Sequence, residues 1–86
     1  MNTEEQLKKE IKKWMNKLQE SLDSTKALGQ KGVEFLTNIK AYQSDSLHFY
    51  EKKDYVRSFE ALIWAWAYIE IGKDVGLLAG KQDLNK

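Results

Sequence analysis

The sequence has no cysteine, no proline and a single histidine among 86 residues. Without cysteine there is no disulfide, no thiolate metal site and no cysteine nucleophile, and the lack of disulfides fits a reducing interior. Without proline the strongest helix breaker is missing throughout. One histidine leaves little general-base chemistry. There is no nucleophile elbow and no glycine-rich phosphate loop, because Gly29 and Gly32 lack the strand–loop–helix context and the following lysine-serine. Neither an enzyme nor a cofactor is expected. The net charge of +1 supplies no global field for nucleic acid or an anionic membrane. The longest apolar run, Ala61 to Ile69, is nine residues, against about 20 for a membrane span. The acidic start, Asn2-Thr3-Glu4-Glu5, lacks the layout of a signal peptide. The expectation is a soluble cytoplasmic protein with no membrane partner.

What the chain does have is helical periodicity and aromatics: three Trp, four Tyr and three Phe, each able to bury roughly 150–250 Å². The reading is all-α, a three-helix up-and-down bundle with helices over about 4–27, 33–52 and 55–78. Residues 1–80 form one domain and 81–86 a polar tail expected to fray. Strict period-two alternation is missing, so no strand is expected.

In the first helix Leu7, Ile11, Trp14, Met15, Leu18 and Leu22 fall in one stripe. Thr3 and Gln6 have capping-box spacing, and Glu4 and Glu5 sit where the helix dipole favours negative charge. Gly29 and Gly32 bracket a connection. Phe35, Ile39, Tyr42, Ser46 and Phe49 mark the buried face of the second helix. The Glu51–Asp54 turn puts Lys53 where glycine would suit the left-handed residue that ends a helix, and Asp54 is the N-cap of the third helix.

The third helix carries two apolar faces, Tyr55, Phe59, Leu62, Trp66 and Ile69 on one side and Ala61, Trp64, Tyr68, Ile71 and Val75 on the other. Two shorter neighbours do not obviously cover both. Either the helix lies centrally with Trp64 and Tyr68 partly exposed, or the second face binds a protein partner or a second copy of the chain. Trp64, Tyr68 and Ile71, rimmed by Arg57 and Glu60, are the candidate interface.

The order Ala41-Tyr42, Asp45, Phe49, Asp54-Tyr55-Val56-Arg57, Phe59-Glu60-Ala61, Trp64-Ala65-Trp66 and Gly76-Leu77-Leu78 resembles the archaeal domain-of-unknown-function family numbered 357. The resemblance covers about half the chain, from Ala41 to Leu78. Lys53 stands where that family usually has glycine, and Trp64 where tyrosine is commoner. The resemblance implies a three-helix bundle and an archaeal cytoplasmic origin, and no activity. Related domains attached to nucleotidyltransferase-like domains imply, by analogy alone, an accessory role near nucleotide metabolism.

Other chemistry is weaker. Asp45 and His48 are spaced as metal ligands, but His48 lies opposite the apolar stripe, so no metal site is expected; Asp45 is expected to accept a hydrogen bond or pair with a lysine or Arg57. Lys9, Lys13 and Lys17, with Lys8 and Lys12 beside them, form a stripe able to touch phosphates. Interleaved Glu4, Glu5 and Glu10, with Glu4–Lys8 and Glu5–Lys9 in the favourable order, make a solvated salt-bridged face the stronger reading. Nucleic acid is therefore the alternative partner, not the expected one.

Overall fold

The structure, a computed structural model, describes residues 2–81. Three helices follow in order, α1 Thr3–Asp23, α2 Gly29–Glu51 and α3 Tyr55–Asp74, in a body 46 × 22 × 17 Å. This is the expected all-α three-helix fold. The central helix is α3, which packs against both others.

The stripe of α1 buries Ile11, Leu18 and Leu22, with Leu7, Trp14 and Met15 half-buried against them. Its N-cap is Asn2, not Thr3: the Asn2 side chain accepts the Glu5 amide at 2.7 Å, and Thr3 is already helical. Both residue types cap well, so the sequence leaves the start open by one residue. Glu4 and Glu5 occupy the first turn as expected.

The helix stops at Asp23, short of 27, because the chain leaves as a strand. β1 (Thr25–Ala27) pairs antiparallel with β2 (Leu78–Gly80), in the register Thr25 to Gly80, Lys26 to Ala79 and Ala27 to Leu78. The clasp corrects the expectation of no strand. It is extended by Leu28, whose amide donates to the Leu77 carbonyl at 2.9 Å, and by Lys81, which donates to Ser24 at 2.8 Å. Gly80 and Lys81, expected at the start of a fraying tail, are thus held; residues 82–86 of that tail lie outside the described residues.

The same clasp explains the end of α3 at Asp74 rather than 78. Gly76 adopts φ 78°, Gly76 donates to Lys73 at 3.2 Å and Leu77 to Gly72 at 2.8 Å. These are the two bonds of a Schellman ending. They turn the chain so that Leu78 is buried. Residue α2 begins with is Gly29, earlier than 33, and Gly32 lies inside the helix. A Cβ on Gly32 would collide with the Leu77 carbonyl oxygen and touch Ala27. Gly32 is therefore a seat for the clasp and not the edge of a loop.

The turn between α2 and α3 repeats the Schellman geometry with lysine in place of glycine. Lys53 has φ 63°, Lys53 donates to Tyr50 at 3.0 Å and Asp54 to Phe49 at 2.9 Å. Asp54 then caps α3, accepting the Arg57 amide at 3.2 Å. Both features follow the expectation.

Small residues make the seam between α2 and α3. Buried Gly32, Ile39 and Ser46 recur every seven residues on one helix, and buried Ser58, Ala65 and Gly72 on the other. Ser46 and Ser58 are fully enclosed and hydrogen-bond across the seam. In an antiparallel pair that register sets Ile39 level with Ala65 and Gly32 level with Gly72. At that end of the seam Gly32 makes room for the Leu77 carbonyl and Gly72 for the Leu78 side chain.

Candidate functional site

With its small residues against α2 and its Tyr55, Leu62 and Ile69 in the core, α3 turns the rest of its circumference outward. That surface is apolar for a solvent face. Trp64 is 54% exposed, Ile71 46% and Ile63 50%, with Val56 and Val75 also open. Tyr68 is half-buried and Ala61 buried. The second face expected from the sequence therefore splits: Ala61 joins the core, while Trp64, Ile71 and Val75 reach solvent. Central placement and exposure hold together.

Trp64 belongs to an aromatic row running across both helices. Tyr42 of α2 stacks on Trp64, with ring centroids 6.3 Å apart and planes 20° apart, and on Tyr68 at 5.6 Å and 15°. Phe35 meets Tyr68 edge-on at 5.7 Å. Offset stacks and edge contacts of this kind each contribute about 0.5–1.5 kcal/mol beyond area burial. The row holds the Trp64 ring in place while leaving much of it in solvent.

Beside this row lies a groove of about 270 Å³ between α2 and α3, lined by Tyr42, Asp45, Phe49, Arg57, Glu60, Ala61 and Trp64. The rim residues Arg57 and Glu60 are exposed. Arg57 contacts Asp54 at 3.6 Å and lies 6.0 Å from the Phe49 ring. Asp45 does not meet Arg57 or a lysine as expected; it has no ion-pair partner among the described residues, because its own helix turn offers none and Arg57 is drawn to the cap. His48 is exposed, as its place opposite the stripe predicts, and packs beside Phe49 at 5.9 Å. No three His, Asp or Glu side chains converge as a metal set among the described residues.

On the opposite flank of α3 is a more apolar cleft of about 490 Å³, walled by Trp14, Phe59, Trp66 and Ile63, with Glu70 at its edge. Trp14 and Trp66 meet at 90° with centroids 5.8 Å apart. Trp66 Nε1 is the one buried side-chain polar atom without a hydrogen-bond partner among the described residues. Sequence reasoning missed Ile63 and the α2 wall of Tyr42 and Phe49 as surface partners. The seven-residue spacing of Val56 and Ile63 was the available signal for the first.

The lysines of α1 are not a salt-bridged face. Neither Glu4–Lys8 nor Glu5–Lys9 forms an ion pair among the described residues. Instead Lys8 lies 5.6 Å from the Tyr55 ring and Lys12 5.9 Å from Tyr50, while Lys17 and Lys13 lie 4.8 and 5.8 Å from Trp14. Ammonium groups cover ring faces at distances where cation–π attraction operates. Lys9 joins Lys8, Lys12, Glu5 and Tyr50 around a shallow cleft. No helix is long and apolar enough to cross a membrane among the described residues.

Residues 11–78 match the model of a family described as protein of unknown function (DUF357). The crystal structure of protein AF1782 from Archaeoglobus fulgidus, of the same family model, superposes with a TM-score of 0.83 at 42% identity, over 92% of this chain and 99% of that one. No curated protein matches.

Proposed function

The chain belongs to the DUF357 family, and from that premise we propose that it is a non-catalytic helical interaction module whose contact surface is the outward face of α3. One observation carries the reading: Trp64 is 54% exposed yet fixed in a stack with Tyr42. A large ring held open to water has little to gain in an isolated chain. At an interface it supplies area at small entropic cost, which is why tryptophan and tyrosine recur at binding hot spots. Tyr68, Ile71 and Val75 continue the patch along the helix, and Arg57 and Glu60 give it a polar rim. Both a second copy and a different protein fit this description.

The test is association of the full chain measured two ways. Light scattering across micromolar concentrations reads self-association, and affinity purification from the native host reads other partners. Each compares wild type with a Trp64→Ala, Tyr68→Ala variant. Association that the variant loses supports the surface. Association retained equally by both, or none by either method, removes it.

A second reading places an accessory nucleic-acid or nucleotide contact on α1, favoured by the grouping of Lys8, Lys9 and Lys12 around Tyr50. Phosphate contacts predict affinity that falls steeply with salt. Absence of binding to a single-stranded oligonucleotide at low salt excludes it.

A further inference from the structure

The groove beside Trp64 has a charge pattern that the aromatic surface alone does not explain. Asp45 comes from α2 and Glu60 from α3, and the fold brings both to one concavity floored by Tyr42, Ala61 and Trp64. Neither carboxylate has an ion-pair or hydrogen-bond partner among the described residues. The one cation of the rim, Arg57, is engaged with Asp54 and packed near Phe49. Two acids without an ion-pair partner among the described residues therefore line the same concavity as an aromatic floor.

We propose that this groove receives an arginine side chain on an exposed segment of a partner protein. The inference rests on reading the α3 face as a contact surface and names the chemistry of what docks there. Tryptophan offers the best ring face for a cation, and the Tyr42 stack holds this one fixed. A guanidinium stacks on an aromatic face while its in-plane N–H groups donate to carboxylates beside it. Carboxylates on both walls suit such a group. An acidic segment would meet two like charges. A wholly apolar one would bury two carboxylates with no compensating partner, which is strongly unfavourable.

The probe is an end-blocked Gly-Arg-Gly peptide titrated into the full chain up to about 20 mM, a range in which contacts of a few kcal/mol register. Controls are Gly-Glu-Gly and the citrulline analogue of the probe. The readout is the NMR signal of the Trp64 indole, with those of Trp14 and Trp66 as internal references. The arginine peptide is expected to shift Trp64 saturably and the other two are not, with binding that weakens as salt rises. An Asp45→Asn, Glu60→Gln variant, changed only at exposed positions, is expected to lose at least tenfold in affinity with its reference signals unmoved. No shift at Trp64, an equal shift with the glutamate or citrulline peptide, or undiminished binding by the variant overturns the proposal. If the arginine peptide fails while Trp64→Ala, Tyr68→Ala still abolishes association, the cationic occupant falls and the α3 surface stands. If that variant associates as wild type does, the surface falls and takes the groove with it.

Discussion

Ser46 and Ser58 each donate a hydroxyl hydrogen bond to the other's backbone carbonyl, at 2.8 and 2.7 Å, in a site closed to solvent. Their oxygens are 3.1 Å apart. The pair cross-links α2 and α3, and it satisfies both buried hydroxyls without a third group. Polar residues at a core seam thus act as a register pin for the hairpin.

Removing one hydroxyl is expected to cost about 1 kcal/mol, the usual net worth of such a bond. Removing both is expected to cost close to the sum of the single changes, because each hydroxyl donates to the other's backbone carbonyl, which alanine keeps. Urea unfolding of Ser46→Ala, Ser58→Ala and the double variant measures this. A double variant that departs clearly from that sum would show that the two hydroxyls are coupled through their Oγ–Oγ contact.

Lys53 holds φ 63° where no side chain is comfortable. Lys53→Gly is expected to raise stability by up to about 1 kcal/mol, the left-handed penalty offset in part by the added freedom of the unfolded chain. The urea midpoint should move up with the slope unchanged. A fall would mean that the lysine side chain contributes more than its backbone costs.

Gly32→Ala is expected to destabilise by about 1–3 kcal/mol through overpacking against backbone, since the added carbon meets the Leu77 carbonyl. Hydrogen exchange should report the damage at the Leu28 and Lys81 amides, which close the clasp. Gly29→Ala is the control, with open space around it and only the φ of 78° against it. Equal exchange in both variants would show that the Gly32 contact is not what seats the clasp.

Leu62→Ala and Trp64→Ala separate folding from contact. Leu62 is almost fully enclosed, so its truncation should cost about 2–5 kcal/mol. Trp64→Ala loses its stack and half of a ring's burial, about 0.5–1.5 kcal/mol for the aromatic pairing. Thermal denaturation read beside the association assay shows whether Trp64 acts mainly outside the fold. A loss at Trp64 as large as that at Leu62 would place it in the core instead.

The helices, the Asp54 cap, the lysine in the turn and the two-faced character of α3 were legible because each depends on neighbours within a turn or two. Periodicity shows that Leu62 and Trp64 point apart, and so short a connection as Lys52–Asp54 folds α3 back on α2. The clasp was not legible. Thr25–Ala27 and Leu78–Gly80 are too short to show alternation, and their pairing depends on residues far apart in the chain. Gly32 read as the edge of a connection because propensity ignores what packs on a helix. In the fold it makes room for the Leu77 carbonyl, as Gly72 does for Leu78. At the candidate site Trp64, Tyr68 and Ile71 were visible, but the groove was not: Asp45 and Glu60 meet only once two helices have docked.

The clasp also orders events in time. The α2–α3 hairpin can close through contacts near in sequence, whereas pairing Thr25 with Gly80 closes a loop that contains both α2 and α3, an entropic cost met only after the hairpin has shortened the path. The last link to form on refolding should be the first to open under native conditions, while Ile11 and Leu18 keep α1 packed against α3.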